Sequence, residues 1–250
     1  MINILLSGCN GAMGKTLQEV IKNEENMQVV AGYDNENKNN TSFELYTDLN
    51  DCNDNIDLII DFSHFSVFDK ILEFALSKKI PLVMATTGLT MENEKSIQEA
   101  SITIPIFRTA NMSIGVNVML GLIADATKQL DGFDIEIIEK HHNKKVDSPS
   151  GTALMLANEI NTTLNNSMDF VYGREGKSTK RQTNEIGIHA FRGGTISGEH
   201  SVIYAGDDEI IEIKHTALSK KVFAKGAVRA AKFIYQKENG LYDMRKILKS

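Results

Sequence analysis

Between Glu139 and Thr152 the chain reads Glu-Lys-His-His-Asn-Lys-Lys-Val-Asp-Ser-Pro-Ser-Gly-Thr, a mixture of residue types suited to protonating a small anion. Histidine gives or takes a proton near neutrality, so His141 and His142 are candidate proton donors, and Lys145 is a second donor or a fixed positive charge. Immediately downstream, Ala153, Leu156, Ala157, Ile160 and Leu164 recur at helical spacing. That spacing predicts a helix over 152–164 that starts at Pro149-Ser150-Gly151-Thr152. The unpaired N–H groups and positive dipole end of a helix start favour a carboxylate or phosphate, which makes Ser150, Gly151 and Thr152 candidate anion ligands. A charged run such as His-His-Asn-Lys-Lys is ordinarily a solvated loop. Its adjacency to a helix start points instead to a substrate site.

A second constellation opens the chain. Residues 2–14 read as a strand, a glycine turn and a helix start, in the form G-x-x-G-x-x-G at Gly8, Gly11 and Gly14. Gly8 and Gly11 allow a tight turn and close approach of backbone to a pyrophosphate, and Gly14 allows the helix to pack on the strand. Cys9, Asn10, Ala12 and Met13 complete the turn. Cys9 is a small filler, with a redox-sensitive thiol as the alternative because helix N-termini lower thiol pKa values. Asp34 ends the second strand, where an acid accepts hydrogen bonds from the adenosine ribose. No Arg follows it, so NADH is expected to serve at least as well as NADPH, unless Lys38 reaches a 2′-phosphate from the loop. Asp61-Phe62-Ser63 and Ala85-Thr86-Thr87-Gly88 leave two further strands at their carboxyl ends, and His64 follows the first of them toward the cofactor.

The elements that must hold these residues follow from periodicity. Short apolar runs at 2–6, 29–33, 58–62, 82–85 and 104–107 alternate with amphipathic stretches at 13–21, 67–76 and 91–100, the pattern of a parallel sheet covered by helices. The boundary falls near 111–113, before a long helix over 115–130 and a strand over 135–139. Strand-like runs at 186–192, 195–205 and 209–216, joined by Gly193-Gly194 and Gly206-Asp207-Asp208, predict antiparallel pairing, and a last amphipathic helix runs over 222–236. The fold class is therefore α/β: a Rossmann-like doubly wound sheet plus a second α+β domain with a mixed, largely antiparallel sheet. At 250 residues and 42% hydrophobic, the chain buries a full core. Its net charge of -6 argues against nucleic-acid or anionic-membrane partners. No apolar run approaches a membrane span, the two cysteines lack metal-ligand spacing, and a reducing cytoplasm is the expected setting.

Gly8 to Gly14, Asp61-Phe62-Ser63, Thr86-Thr87-Gly88, Ala110-Asn111, Glu139 with His141-His142, Lys145-Val146-Asp147, Pro149-Ser150-Gly151-Thr152, Gly198-Glu199-His200 and Gly226-Ala227-Val228-Arg229 together resemble the 4-hydroxy-tetrahydrodipicolinate (dihydrodipicolinate) reductase family from end to end. The resemblance implies reduction of a small cyclic dicarboxylic imine to tetrahydrodipicolinate with NADH or NADPH, in the diaminopimelate route to lysine. It also implies a homotetramer built by the sheets of the second domain. The last helix then returns to the first domain, giving a dinucleotide-binding domain of 1–112 completed by 219–250 and a substrate-binding and oligomerisation domain of 113–218. By resemblance His141 and Lys145 are the catalytic pair, His142 is a substrate contact, and Gly151 and Thr152, with Ser150 beside them, bind a substrate carboxylate. Gly8 to Met13, Asp34, Phe62, Ala85, Thr86, Thr87, Thr109, Ala110, Asn111 and Met112 line the cofactor path. Two positions depart from the family: Asn35 stands where members that use NADPH readily tend to carry Arg, and Met112 replaces the usual aromatic beside the nicotinamide.

In that chemistry a hydride reaches a ring carbon conjugated to the imine, and a proton must follow. His141 is the expected donor, Lys145 neutralises developing charge or holds one carboxylate, and the Ser150-Gly151-Thr152 turn orients the other. Domain closure is expected, because donor and acceptor sites lie on different domains. His189, His200 and His215 read as strand or surface residues, and Arg229 as a surface or interdomain charge. A semialdehyde-type dehydrogenase would need a catalytic Cys that neither Cys9 nor Cys52 is placed to be, and a non-catalytic NADH sensor leaves the His141, Lys145 and Thr152 cluster without a purpose.

Overall fold

The computed structural model describes residues 1–36, 41–177 and 180–249, so Lys38 lies outside the described residues. The chain forms two compact units, Met1–Ser113 with Lys220–Ser250, and Ile114–Ser219. The first begins β1 (Ile2–Ser7), α1 (Ala12–Ile21), β2 (Met27–Tyr33), β3 (Glu44–Tyr46), β4 (Leu58–Asp61), α2 (Phe68–Lys78), β5 (Leu82–Met84), α3 (Met91–Ala100) and β6 (Pro105–Arg108). The second holds α4 (Ile114–Gln129), β7 (Asp134–His141), α5 (Gly151–Thr163), β8 (Asp169–Tyr172), β9 (Glu185–Arg192), β10 (Gly198–Ala205) and β11 (Ile210–Ala217). The chain then returns to the first unit with α6 (Lys221–Ile234), β12 (Gly240–Tyr242) and α7 (Met244–Leu248).

The first sheet has seven strands in the order β12-β6-β5-β4-β1-β2-β3, and every pairing is parallel. Its central strands are continuous apolar runs, such as Leu58-Ile59-Ile60 and Leu82-Val83-Met84, because helices cover both faces. From β1 the chain winds one way to β2 and β3, and then crosses to β4 on the other side. The strand order reverses there, and a crevice opens at the carboxyl ends. Gly8, at φ +77°, turns the chain out of β1; a Cβ on it would lie 2.7 Å from the Phe62 carbonyl oxygen, and one on Gly14 would lie 2.2 Å from that of Gly8.

The second sheet runs β11-β10-β7-β9-β8. The expected direct pairing of β9 with β10 does not occur. β7 lies between them, antiparallel to β10 and parallel to β9, and β8 adds a further parallel pairing. Two pairings are therefore antiparallel and two parallel, so the sheet is mixed without an antiparallel majority. Burial explains the central place of β7: Ile135 and Ile137 face a core built from Met119, Leu120 and Ile123 of α4 and Leu156, Ala157 and Ile160 of α5. Strand periodicity puts Glu139 and His141 on that same face, at the end of the apolar row.

Residues 220–249 close the first unit. The buried face of α6 is mostly small, with Ala224, Gly226, Ala227, Ala230 and Ala231, and β12 extends the sheet beyond β6. A Cβ at Gly226 would sit 1.7 Å from the Met112 carbonyl oxygen, a backbone atom with no rotamer to yield. We expect Gly226→Ala to destabilise the protein by roughly 1–3 kcal/mol in thermal unfolding, because overpacking outweighs the gain of about 1 kcal/mol in helix propensity. Gly121→Ala in α4, where nothing among the described residues lies within 4 Å of the new Cβ, should instead stabilise by roughly 0.4–1 kcal/mol.

Candidate active site

In the first unit, the exits of β1, β2 and β4 surround a cleft of 400 Å³ lined by Gly8, Asn10, Gly11, Asp34, Phe62 and His64, among others. The cleft is held open mainly by backbone. Gly8 N–H donates to Tyr33 O and Phe62 N–H to Ser7 O, locking the three exits together. Asp34 stands at the rim, its carboxylate accepting from Asn10 N at 2.9 Å and Asn35 N at 2.9 Å. Asp61 is fully buried and accepts from Ser63 N, from Ser63 Oγ and from Thr86 Oγ1, tying the β4 exit to the β5 exit. The segment 109–113 leaves β6 with the Asn111 side chain accepting from Ser113 N.

Among the sequence-predicted cofactor residues, the structure brings Gly8, Asn10, Gly11, Asp34 and Phe62 together in this cleft. Ala85, Thr86, Thr87, Thr109, Ala110, Asn111 and Met112 lie on the same carboxyl edge of the sheet, outside it. Met112 is buried, and Ala12 is exposed at the start of α1. Cys9 departs from the redox alternative. Burial, helped by the negative charge of Asp34, pushes its thiol up to about 11, so it is a weak nucleophile, while its Sγ rests 3.7 Å from Tyr33 O. Cys52 is buried with its thiol raised as well.

In the second unit, β7 delivers Glu139 and His141 to the N-terminus of α5. Glu139 has no exposure, and its Oε2 accepts from His141 Nδ1 at 2.6 Å and Arg192 Nη1 at 2.8 Å. Its Oε1 accepts from Ser150 N at 2.9 Å and Arg192 Nη2 at 2.7 Å. Burial opposes its charge, yet the Arg192 guanidinium, His141 and the Ser150 amide hold its carboxyl below the usual range. His141 is shifted down by burial, with the positive charges of Lys145 and Arg192 adding to the effect and Glu139 opposing it.

Ser150 is the N-cap of α5: its Oγ accepts from Ala153 N and shares a 2.9 Å hydrogen bond with His200 Nε2. The His200 ring also meets His141 edge-on, 5.2 Å between centroids. Lys145 Nζ pairs with Asp147 Oδ1 at 2.7 Å, and this ammonium holds the Asp147 carboxyl low against the opposing effect of burial. Gly151 is exposed and Thr152 half-buried in the first turn of α5, and His142 is half-buried just past the end of β7. The structure thus gathers His141, Lys145, Ser150, Gly151 and Thr152 around one helix start.

Two members of this cluster escaped the sequence reading. His200, expected as a strand or surface residue, is buried on the core side of β10, and Arg192 at the end of β9 clamps Glu139. Strand register was the missing signal: β7 pairs Glu139 with His200 on one side and His141 with Arg192 on the other. His215 is also partly buried with its pKa lowered by desolvation, whereas Arg229 is exposed as expected.

Burial foremost, then the charge of His141, drives His200 from 6.5 down to about 4; Glu139 pulls the other way, and His215 and Lys145 add smaller downward pushes. A histidine depressed in the folded state binds fewer protons there than in the unfolded chain. Its contribution to stability is therefore complete above about pH 6.5 and is lost as pH falls toward about 4. Denaturant midpoints measured across that window should fall by up to about 3 kcal/mol in stability, and His200→Gln should flatten the slope. An unchanged slope in the variant would remove His200 as its source.

The family model described as dihydrodipicolinate reductase, N-terminus, matches residues 2–112, and that described as dihydrodipicolinate reductase, C-terminus, matches residues 115–248. The chain is 50% identical to the 4-hydroxy-tetrahydrodipicolinate reductase of Caldanaerobacter subterraneus subsp. tengcongensis, covering 100% of this chain and 99% of the relative. It is 47% identical to that of Clostridium tetani, covering 100% and 98%. In fold it is similar to the dipicolinate-bound dihydrodipicolinate reductase of Paenisporosarcina sp. TG-14, with a TM-score of 0.81, 21% identity and 97% of each chain covered. With both halves matched and such relatives along its whole length, this chain belongs to the dihydrodipicolinate reductase family.

Proposed function

We propose that this protein reduces 4-hydroxy-tetrahydrodipicolinate to tetrahydrodipicolinate with NADH or NADPH, in the diaminopimelate route to lysine. One observation carries the reading: a helix N-terminus flanked by Lys145 and by His141, the latter held at Nδ1 by a buried carboxylate. That arrangement suits a flat dicarboxylate that must be oriented and protonated. Lys145 and the first turn of α5, through Gly151 and Thr152, take the carboxylates, and His142 adds a contact at the rim. Two anchors on a planar ring fix which face is presented, so remote binding becomes orientation at the reacting carbon. Asp147 now pairs with Lys145, and a substrate carboxylate takes that place.

The nicotinamide cofactor supplies the hydride. Gly8, Asn10 and Gly11, with Cys9, Ala12 and Met13, receive its pyrophosphate where α1 begins, and the glycines leave the room that a close backbone approach needs. Asp34 accepts from the adenosine ribose. Its negative charge and the absence of an Arg beside it support NADH serving at least as well as NADPH. Phe62, Ala85, Thr86, Thr87 and the segment Thr109-Ala110-Asn111-Met112 continue the path along the carboxyl edge of the sheet.

His141 gives the proton from Nε2. The imidazole rests neutral near pH 7 because burial and two neighbouring cations depress it. A dianionic substrate offsets Lys145 and Arg192, and so raises the proton affinity of His141 when the proton is needed. The homotetramer implied for the family would use the second unit, where Phe191, Ile210 and Ile211 leave apolar surface exposed. Among the described residues no helix is long and apolar enough to cross a membrane, and the net charge of -6 gives no basis for nucleic-acid binding. We place the protein in the cytoplasm.

The decisive assay generates the substrate in situ from pyruvate and aspartate semialdehyde with the synthase, and follows nicotinamide absorbance with NADH and NADPH separately. Rapid oxidation is expected with both, and at least as fast with NADH. His141→Gln should lower kcat by roughly 10²–10⁴-fold, the usual share of a positioned proton donor, with little change in NADH affinity. No oxidation with either cofactor, from a folded protein that still binds NADH, would exclude the reductase. Calorimetry of a planar aromatic dicarboxylate in buffers of differing ionisation enthalpy should show proton uptake on binding in the wild type, and its loss in His141→Gln.

A further inference from the structure

The geometry points to Glu139 as the positioning residue of this site: one carboxylate oxygen fixes the ring and tautomer of His141, the other fixes the start of α5, and Arg192 clamps both. This rests on the reductase reading for what the proton is used for, but not for how the ring is held.

Four donors converge on Glu139. His141 Nδ1 and Arg192 Nη1 meet Oε2 at 2.6 and 2.8 Å, and Ser150 N and Arg192 Nη2 meet Oε1 at 2.9 and 2.7 Å. An ionised carboxylate offers about four lone-pair sites and no proton, so the match is complete and admits one arrangement. Nδ1 of His141 must carry hydrogen, which leaves Nε2 as the nitrogen that exchanges a proton with anything outside. Position 198 carries no side chain; a Cβ there would lie 3.1 Å from Nε2, so the glycine leaves that nitrogen uncovered on that side. The same carboxylate holds the Ser150 amide one residue before the turn that receives the substrate carboxylate. Proton donor and anion cradle therefore hang from a single buried group, and a shift in one is felt by the other.

An amide cannot replace it. In Glu139→Gln, either the pair His141 Nδ1 and Arg192 Nη1 or the pair Ser150 N and Arg192 Nη2 faces an NH₂ instead of an oxygen. The backbone N–H cannot change its role, whereas the imidazole can move its proton to Nε2 and accept from the amide. The groups facing His141 are Glu139 on its own strand, Arg192 from β9, His200 from β10 and Lys145 from the loop that follows, with His215 of β11 acting on His200. Of these Glu139 alone is negative. Its removal makes His141 harder to protonate, and removal of Arg192 makes it easier.

The test uses the full chain labelled with ¹⁵N-histidine, with His141→Gln to assign the resonance, beside steady-state kinetics across pH. In the wild type the neutral His141 ring should carry its proton on Nδ1. In Glu139→Gln it should move to Nε2, kcat should drop on the order of 10²-fold, and the limb where activity is lost as pH rises should shift to lower pH. Arg192→Met keeps the carboxylate and should shift that limb to higher pH with the Nδ1 tautomer retained; it also serves if Glu139→Gln fails to fold. Variants that lose thermal stability but keep the tautomer, the pH limb and kcat would reduce Glu139 to a structural ion pair and overturn the proposal. A wild type without turnover, whose His141 tautomer still answers to Glu139, would instead overturn the reductase reading and leave the positioning role standing.

Discussion

A carboxylate with no access to water sits at the end of β7, and its desolvation has to be compensated locally or the strand cannot end there. Glu139 meets that requirement with the Arg192 guanidinium from β9, the imidazole two residues along its own strand, and the amide that precedes α5. These partners come from three separate stretches of chain. The register of β7 with β9, the angle at which the chain leaves β7 and the start of α5 are therefore fixed together. The apolar row of Ile135 and Ile137 below it anchors the strand in the core, so the polar end of the row is set by packing rather than by a mobile loop.

The two sites are built on different principles. The cleft of the first unit is made largely of backbone: glycines at the β1 exit and strand ends locked to one another. The site of the second unit is made of side chains whose protonation states are set by neighbours. Such a division suits a cofactor recognised by shape and phosphate, beside a substrate recognised by charge and changed by proton transfer. Both cysteines are buried with raised thiol pKa values, so neither supplies a reactive thiol to these sites.

Much of this was legible in the sequence wherever a local rule governs. The glycine turn, the parallel strands and the α5 boundary follow from periodicity and capping, and the helix starts within one residue of its expected position. Non-local pairing was not legible. Nothing in 186–205 announces that β7 will separate β9 from β10, since the turn at Gly193-Gly194 reads as a hairpin and only the shared core decides otherwise. His200 and Arg192 were missed for that same reason, as each reaches Glu139 only through cross-strand register. The short strands β3, β8 and β12 are three or four residues long and carry too little alternation to be recognised, and their neighbours in the sheets define them.

The return of α6 and β12 to the first sheet has a consequence for how the chain comes into being. The second unit is one continuous stretch, 114–219, and its core can condense from contacts made within that stretch. The first unit is split, and the helix whose small residues cover β4, β5 and β6 is encoded after the whole of the second unit. On a ribosome the dinucleotide fold thus waits, with β4, β5 and β6 lacking that helix, until the later unit has been made. The order of synthesis is the reverse of the order of completion.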